Sequence, residues 1–351
     1  MKRFGKKLVA LTAAAVMGVV SLTGCGSKDI DYTEAVAVVN DEEIALGTAN
    51  FYARMQQAQY ESYYASFMGD NMWSMTVDGT MTYEESFKET IMESLQGLYI
   101  IEDHMAEYGV ELTADDHAKI AKAAENFMNN NSLEAKAVVS AEEEYITRVL
   151  ELSTIQAKMY EPMREGVDEE VSDEEAAQKA MLYAFFSYSD LDENGVATPK
   201  SDEDKAEVKK TAENFAKAMK EQEATEVKFE TSALEAEAKV ETLTFDVETT
   251  APSAEMVLLV DAMETVGEMT DVVETEDGCY VAMLTSLYDE EATEAKKAEI
   301  VEERKSAQYA ELVAEWTAVA KVEVFDKVWK QVSFSEQGVV LKVDDAEEYS
   351  N

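Results

Sequence analysis

The stretch Met181-Leu-Tyr-Ala-Phe-Phe-Ser-Tyr188 marks a change of pattern in the middle of the chain. Its nearly unbroken apolar and aromatic residues predict a buried β-strand. Apolar residues at helical spacing dominate the chain before it. After it, strands are predicted at residues 240–247, 272–275 and 279–284, and helices at 206–222 and 254–263. A helical part followed by a mixed part predicts an α+β fold.

The part before residue 176 begins with a predicted β-hairpin and continues as helices. Residues 36–39 and 43–46 flank Asn40-Asp41, which favours a hairpin turn. Thr82-Tyr83-Glu84-Glu85 is a capping box that predicts the start of a long helix, and Gly109 its end. Further helix starts are predicted at Thr113, Ser140 and Ser172.

A long charged helix is predicted at residues 290–320, after the mixed part. Four apolar residues share one side of it: Val301, Leu312, Trp316 and Val319. Such a stripe needs a partner, so we expect this helix to pack on the N-terminal helices. The mixed part is then inserted into a split helical domain. The predicted division begins with a signal peptide at residues 1–24 and a tether at 25–33. An N-terminal helical lobe at 34–175 and an inserted domain at 176–287 follow. The last part, at 288–351, is a helix and a strand that pack back on the N-terminal lobe.

The N-terminus carries the pattern of an exported protein. Residues 1–7 hold four basic side chains, residues 8–20 are apolar apart from small residues, and Leu22-Thr23-Gly24-Cys25 follows. This order predicts a secretory signal peptide, and a cysteine at that place is typical of a bacterial lipoprotein. We expect cleavage before Cys25, a lipid anchor on its sulfur, and a location at the extracytoplasmic face of the cell membrane.

The composition is strongly acidic, with a formal net charge of −44 over 351 residues. Such a charge argues against nucleic acid as a ligand, because phosphate contacts need Lys and Arg. The negative charge is compatible with binding of basic polypeptides or divalent cations, or it serves solubility alone. Hydrophobic residues make up 46% of the chain, enough to bury a core.

Seven segments resemble motifs of the exported SurA and PrsA foldases: residues 36–44, 108–113, 171–175, 181–187, 255–257, 267–273 and 278–284. In these foldases a parvulin-like prolyl isomerase domain sits inside a helical chaperone domain. The resemblance implies the same architecture here, and a chaperone that binds unfolded or nascent secreted polypeptides.

The resemblance also implies a proline-binding pocket, degenerate here, at Tyr183, Met256, Val260 and Tyr280. Histidines of active parvulins stand where Tyr183 and Tyr280 fall. Lowering an isomerisation barrier of about 20 kcal/mol needs polar groups placed around the peptide bond. Weak or absent isomerase activity is therefore expected, and the two tyrosines are also interpretable as core residues. The alternatives are an active prolyl isomerase with unusual residues, and a lipoprotein that binds a small solute or a wall component.

No metal site, nucleophile or cofactor is predicted. His104 and His117 lie in the N-terminal helices with no cysteine near them. Cys279 falls in a strand predicted to be buried, which raises the pKa of a thiol. Around Trp73, the residues Met68, Met72, Met75 and Met81 indicate either an adaptable apolar surface for unfolded segments or a loop folded onto the helical core.

Overall fold

The computed structural model describes residues 16–19, 30–69, 71–77, 79–191, 195–222, 225–334 and 339–342. The chain forms two compact units. We call Met1–Gly166 with Lys305–Asn351 the split unit, and Val167–Arg304 the inserted unit. The split unit is mainly helical, whereas the inserted unit combines an antiparallel sheet with helices. The predicted α+β class, with a mixed domain inserted into a split helical one, is therefore confirmed.

The helices, in chain order, are α1 Leu46–Met68, α2 Tyr83–Asp103, α3 Ala114–Asn130, α4 Leu133–Val138, α5 Glu143–Tyr160, α6 Asp173–Ala176, α7 Asp202–Lys220, α8 Glu226–Glu235, α9 Ala254–Asp261, α10 Glu290–Val319 and α11 Asp326–Trp329. None of them, within the described part of the chain, is long and apolar enough to cross a membrane.

The strands are β1 Val16–Val19, β2 Ala35–Val39, β3 Glu42–Ala45, β4 Lys179–Ser187, β5 Ser189–Leu191, β6 Ala197–Pro199, β7 Lys239–Phe245, β8 Val273–Glu274, β9 Gly278–Ser286, β10 Val322–Val324 and β11 Val339–Lys342. Only β1 of the predicted signal peptide is described, paired with β11. Cys25 lies outside the described residues.

Helix starts in the split unit follow local capping chemistry. The Thr82 hydroxyl accepts a hydrogen bond from the Glu85 N–H, and the Glu85 carboxylate accepts one from the Thr82 N–H. Thr113 and Asp116 form the same reciprocal pair at the start of α3. These caps satisfy backbone donors that the first helical turn leaves free.

Two predicted helix boundaries were wrong. The helix α2 ends at Asp103, and a 3-10 turn at Met105–Tyr108 precedes Gly109, which has φ of 63°. Ser140 does not cap α5. Its buried hydroxyl donates to the carbonyl of Gly47, its own φ is 47°, and α5 starts after Glu142.

The core of the split unit joins the two distant parts of its sequence. A three-stranded sheet in the order β10-β2-β3 pairs residues from both ends of the chain. Its hairpin turn holds Asn40 at φ of 54°, a value that Asn tolerates. Around the sheet, one cluster buries Ile44, Leu95, Trp73, Trp329 and Phe334 together. Leu312 and Trp316 of α10 pack against a smaller cluster that contains Ile101 and Met159.

The inserted unit is an antiparallel sheet in the order β7-β4-β9-β8. Side chains of β4 alternate between its two faces. Leu182, Ala184 and Phe186 pack with residues of α7 and α8 on one face, whereas Met181 and Tyr183 pack with α9 on the other. The strands β5 and β6 form a separate short hairpin. In this unit the sequence pattern did not predict the helix α8 or the short strands β5 and β6.

Candidate functional site

The structure brings the four predicted pocket residues together in the inserted unit. Tyr183 on β4 and Tyr280 on β9 point to the face of the sheet that α9 covers, and α9 supplies Met256 and Val260. Ser253 caps this helix by accepting a hydrogen bond from the Met256 N–H. The four side chains therefore belong to one cluster.

This cluster is filled rather than open. Met256 and Val260 have no exposed surface, and Tyr183 and Tyr280 each keep 7% of theirs. The rings of the two tyrosines lie 5.8 Å apart, between centroids. In this arrangement the side chains pack on one another as a core does, and a proline ring has no space among them.

Tyr183 is held by a neighbouring carboxylate. Its hydroxyl donates a hydrogen bond to Glu241 on β7, and the Lys239 ammonium lies 2.5 Å from the same carboxylate. Burial and the bond to Glu241 both raise the pKa of Tyr183. The ammonium of Lys239 and the hydroxyl of Tyr183 lower the pKa of Glu241. At neutral pH, Tyr183 is thus a neutral hydrogen-bond donor to an ionised carboxylate.

Tyr280 is positioned by ring packing. It stacks on Phe185 with ring centroids 4.6 Å apart and an interplanar angle of 30°. Burial raises the pKa of its hydroxyl, which has no hydrogen-bond partner among the described residues. Neither tyrosine takes up a proton near neutral pH, so the pair does not reproduce the acid–base chemistry of two histidines.

A second polar network, which no motif in the sequence indicates, occupies the opposite face of the sheet. The Tyr188 hydroxyl lies 3.2 Å from the Cys279 sulfur and donates to Glu274 at 2.8 Å. Lys209 on α7 donates to the same carboxylate at 2.5 Å. Burial raises the pKa of Cys279, so the thiol stays protonated and unreactive.

The two histidines belong to the split unit and have structural partners. His104 stacks on Trp316 with ring centroids 3.9 Å apart and an interplanar angle of 8°. Its Nδ1 lies 2.8 Å from Glu107. His117 lies 3.5 Å from Glu151. Over the described ranges, no group of three His, Cys, Asp or Glu side chains is arranged to hold a metal ion.

The split unit exposes a set of apolar side chains where α1 ends. We call the set Tyr63, Tyr64, Phe67, Met75 and Val77 the α1 surface; these side chains are 46–86% exposed. Phe67 is the most exposed of them, at 86%. Of the residues predicted to form an apolar surface or a packed loop, Met72 and Trp73 are buried in the core and Met75 is exposed.

The α1 surface rests on a chain of aromatic contacts that leads into the core. The ring of Tyr60 lies 4.5 Å from that of Tyr64 and 5.7 Å from that of Trp73. Trp73 in turn lies 5.1 Å from Phe334, which is fully buried. The Trp73 indole also donates to Glu61 at 2.7 Å. Of the exposed rings, Tyr64 is therefore connected to the core through Tyr60 and Trp73.

Comparison with known proteins returned matches among solved structures. No family model matches the sequence, and no curated protein matches it. The chain is similar to the foldase PrsA from Lactococcus lactis, with 12% identity, a TM-score of 0.32, and coverage of 86% of this chain and 99% of that one.

Two further structures give similar values. A SurA-like chaperone of Campylobacter jejuni has 12% identity and a TM-score of 0.29, over 83% of this chain and 98% of that one. The foldase PrsA from Streptococcus pneumoniae has 16% identity and a TM-score of 0.31, over 74% and 98%. With TM-scores this low, the assignment of the fold rests on the two units and the sheet described above.

Proposed function

We propose that this protein is a lipid-anchored, extracytoplasmic chaperone that holds unfolded secreted polypeptides. The observation that carries the proposal is the α1 surface. Exposed aromatic rings in one segment are unusual on a soluble domain, because they leave apolar area in water. Contact with an unfolded chain removes that area from water, at a gain of about 25 cal/mol per Å².

The chemistry of the α1 surface suits many different chains. Tyrosine and phenylalanine offer large flat faces with few rotatable bonds, so they bind apolar segments at a low cost in entropy. Met75 adds an adaptable thioether side chain. Because the α1 surface consists of exposed apolar side chains, its binding would depend on apolar content rather than on a particular sequence.

The inserted unit supports a chaperone more than an active isomerase. A twisting peptide bond needs an open apolar cradle and a donor placed for its carbonyl. Here the cluster that corresponds to the cradle is filled, and the Tyr183 hydroxyl already donates to Glu241. We therefore infer weak or absent prolyl isomerase activity.

The anchor follows from the sequence rather than from the described structure. Cleavage before Cys25 and lipid on its sulfur would keep the protein at the outer face of the membrane, where secreted chains emerge unfolded. Two or more acyl chains give stable attachment, since each buried methylene contributes about 0.8 kcal/mol.

Aggregation of a chemically denatured client, followed by light scattering, tests the proposal. We expect the wild-type protein to suppress aggregation and the double variant Tyr63→Ser, Phe67→Ser to lose most of that effect. Leu133→Ser is the matched control, because Leu133 is 81% exposed on α4, outside the α1 surface. Equal suppression by the double variant and the control would contradict the proposal.

A further inference from the structure

The sheet of the inserted unit has two unlike edges. At one edge β8 is only 2 residues long, and the chain before it covers β9 through bonds from the Gly267 N–H to Leu284 and from the Thr270 N–H to Ala282, at 2.8 and 2.9 Å. At the other edge β7 runs for 7 residues and pairs with β4 alone. Within the described residues, no backbone group accepts from or donates to the outer side of β7.

An open edge of this length is a template for another strand. Natural sheets usually protect their edges with short strands, bulges or covering segments. The edge at β8 is protected by a short strand and a covering segment, whereas the edge at β7 has two charged side chains, Lys239 and Glu241, and no covering strand among the described residues. Its sequence, Lys-Val-Glu-Thr-Leu-Thr-Phe, is rich in residues that favour strands. Thr242 and Thr244 are exposed, so side chains leave room beside the backbone.

We propose that the outer edge of β7 binds an extended, positively charged polypeptide segment as an added strand. Main-chain hydrogen bonds would supply affinity without demanding a particular sequence. The site lies on the inserted unit and is separate from the α1 surface. It rests on the proposed function only in taking the occupant to be an unfolded polypeptide.

Charge decides which chain is the occupant. The protein carries a formal net charge of −44, so it attracts basic chains and repels acidic ones. A second copy of this chain would carry the same large negative net charge, which opposes the association of two copies. A basic segment meets no such barrier.

The register of the sheet indicates where a basic side chain would lie. Tyr183 pairs with Glu241 and Met181 with Leu243, so residues 239, 241, 243 and 245 share the face of Tyr183. A basic side chain of the added strand opposite Glu241 would meet a carboxylate that is 42% exposed, and would share it with the ammonium of Lys239. Two residues further along, a side chain would meet Leu243. The site therefore favours an added strand with a basic and an apolar residue two positions apart, on the same face.

Amide hydrogen exchange of the full chain tests this inference. The probe is a short peptide with the repeat Lys-Thr-Val-Thr, which places lysine and valine two residues apart on one face, compared with the same peptide N-methylated at every amide. We expect the unmodified peptide to slow exchange in β7 several-fold, and the N-methylated peptide to bind at least tenfold more weakly because it has no amide donors for β7. A glutamate and valine peptide should leave β7 unprotected.

Charge variants of the edge give the matched control. Thr242→Lys with Thr244→Lys should weaken binding of the lysine peptide several-fold, whereas Thr211→Lys, exposed on α7, should leave it nearly unchanged. Unchanged exchange in β7 when peptide is bound would overturn the inference, as would equal binding of the N-methylated peptide. Protection of β7 that grows with protein concentration alone would replace the basic segment by a second copy. These readouts are confined to β7, so their failure is separate from a failure of aggregation suppression by the α1 surface.

Discussion

The hydroxyl of Tyr183 on β4 donates its hydrogen bond to the carboxylate of Glu241 on the adjacent strand β7. A phenol has one proton to donate, so Tyr183 in this arrangement offers none to a substrate carbonyl. Burial is the larger cause of its raised pKa, and the hydrogen bond to Glu241 is the second. The resemblance to parvulins implies a histidine at this position. Tyr183 instead places there a neutral hydroxyl that is already hydrogen-bonded to Glu241.

This relationship leads to a prediction about prolyl isomerase activity. Turnover of a proline-containing test peptide should be near the uncatalysed rate, and Tyr183→Phe should leave it there, because the hydroxyl takes no part in catalysis. A protease-coupled assay at neutral pH measures both. Strong activity in the wild type that Tyr183→Phe or Tyr280→Phe abolishes would show that the tyrosines are catalytic, and would favour the active isomerase.

A second prediction concerns stability at high pH. An unfolded tyrosine ionises at about pH 10, and the pKa values of Tyr183 and Tyr188 in the folded state are raised above that. Above about pH 10 the unfolded chain therefore loses protons that the folded chain keeps, so the free energy of unfolding should fall as pH rises further.

Denaturant unfolding at several alkaline pH values measures this slope. Replacing both residues, as Tyr183→Phe with Tyr188→Phe, should make the slope less steep, with a remainder from other buried tyrosines such as Tyr280, whose pKa is also raised. Tyr63→Phe, at an exposed tyrosine, is the control. An equally steep slope in the double variant would contradict the assignment of the alkaline instability to these two hydroxyls.

Turns and helix starts that depend on adjacent residues could be predicted from the sequence. Helix ends that depend on contacts with distant residues could not. The turn at Asn40 and the capping box at Thr82 depend on a few adjacent residues, and both form as the sequence indicates. The early end of α2 does not follow from local pattern, since its C-cap, His104, stacks on Trp316 of α10. The helix α8 was missed because it buries few apolar side chains, among them Phe229 and Ala233.

The candidate site also has one feature that could be predicted from the sequence and one that could not. That Tyr183, Met256, Val260 and Tyr280 lie in one cluster could be inferred from the resemblance. The partnership of Tyr183 with Glu241 could not, because it depends on the register between β4 and β7, and a slip of one residue would place Glu241 on the other face.

The lipid anchor gives a third prediction. Cys25→Ala should remove fatty-acid labelling of the protein in cells and release it from the membrane fraction, because the sulfur is the predicted site of acylation. Metabolic labelling followed by fractionation measures both effects. Cys279→Ala is the control, since Cys279 is fully buried and should carry no lipid. Unchanged labelling of Cys25→Ala would remove the lipoprotein assignment.

The last prediction concerns the dependence of the split unit on its C-terminal segment. Phe334 is fully buried beside Trp73. The ammonium of Lys88 donates to the carbonyls of Trp329 and Val332, which fixes the segment on α2. Phe334→Ala leaves a cavity in this core and should lower the free energy of unfolding of the split unit by about 3–5 kcal/mol.

Tryptophan fluorescence during denaturant unfolding measures that loss, because the chain has 3 tryptophans and all of them, Trp73, Trp316 and Trp329, lie in the split unit. In the Cys25→Ala background, the reaction of Cys279 with a thiol reagent follows the inserted unit, in which Cys279 is buried. We expect Phe334→Ala to shift the fluorescence transition strongly and thiol exposure little. Val319→Ala is the control, because Val319 is 79% exposed at the end of α10. If Phe334→Ala and Val319→Ala unfolded at the same denaturant concentration, the C-terminal segment would not be part of the stabilising core.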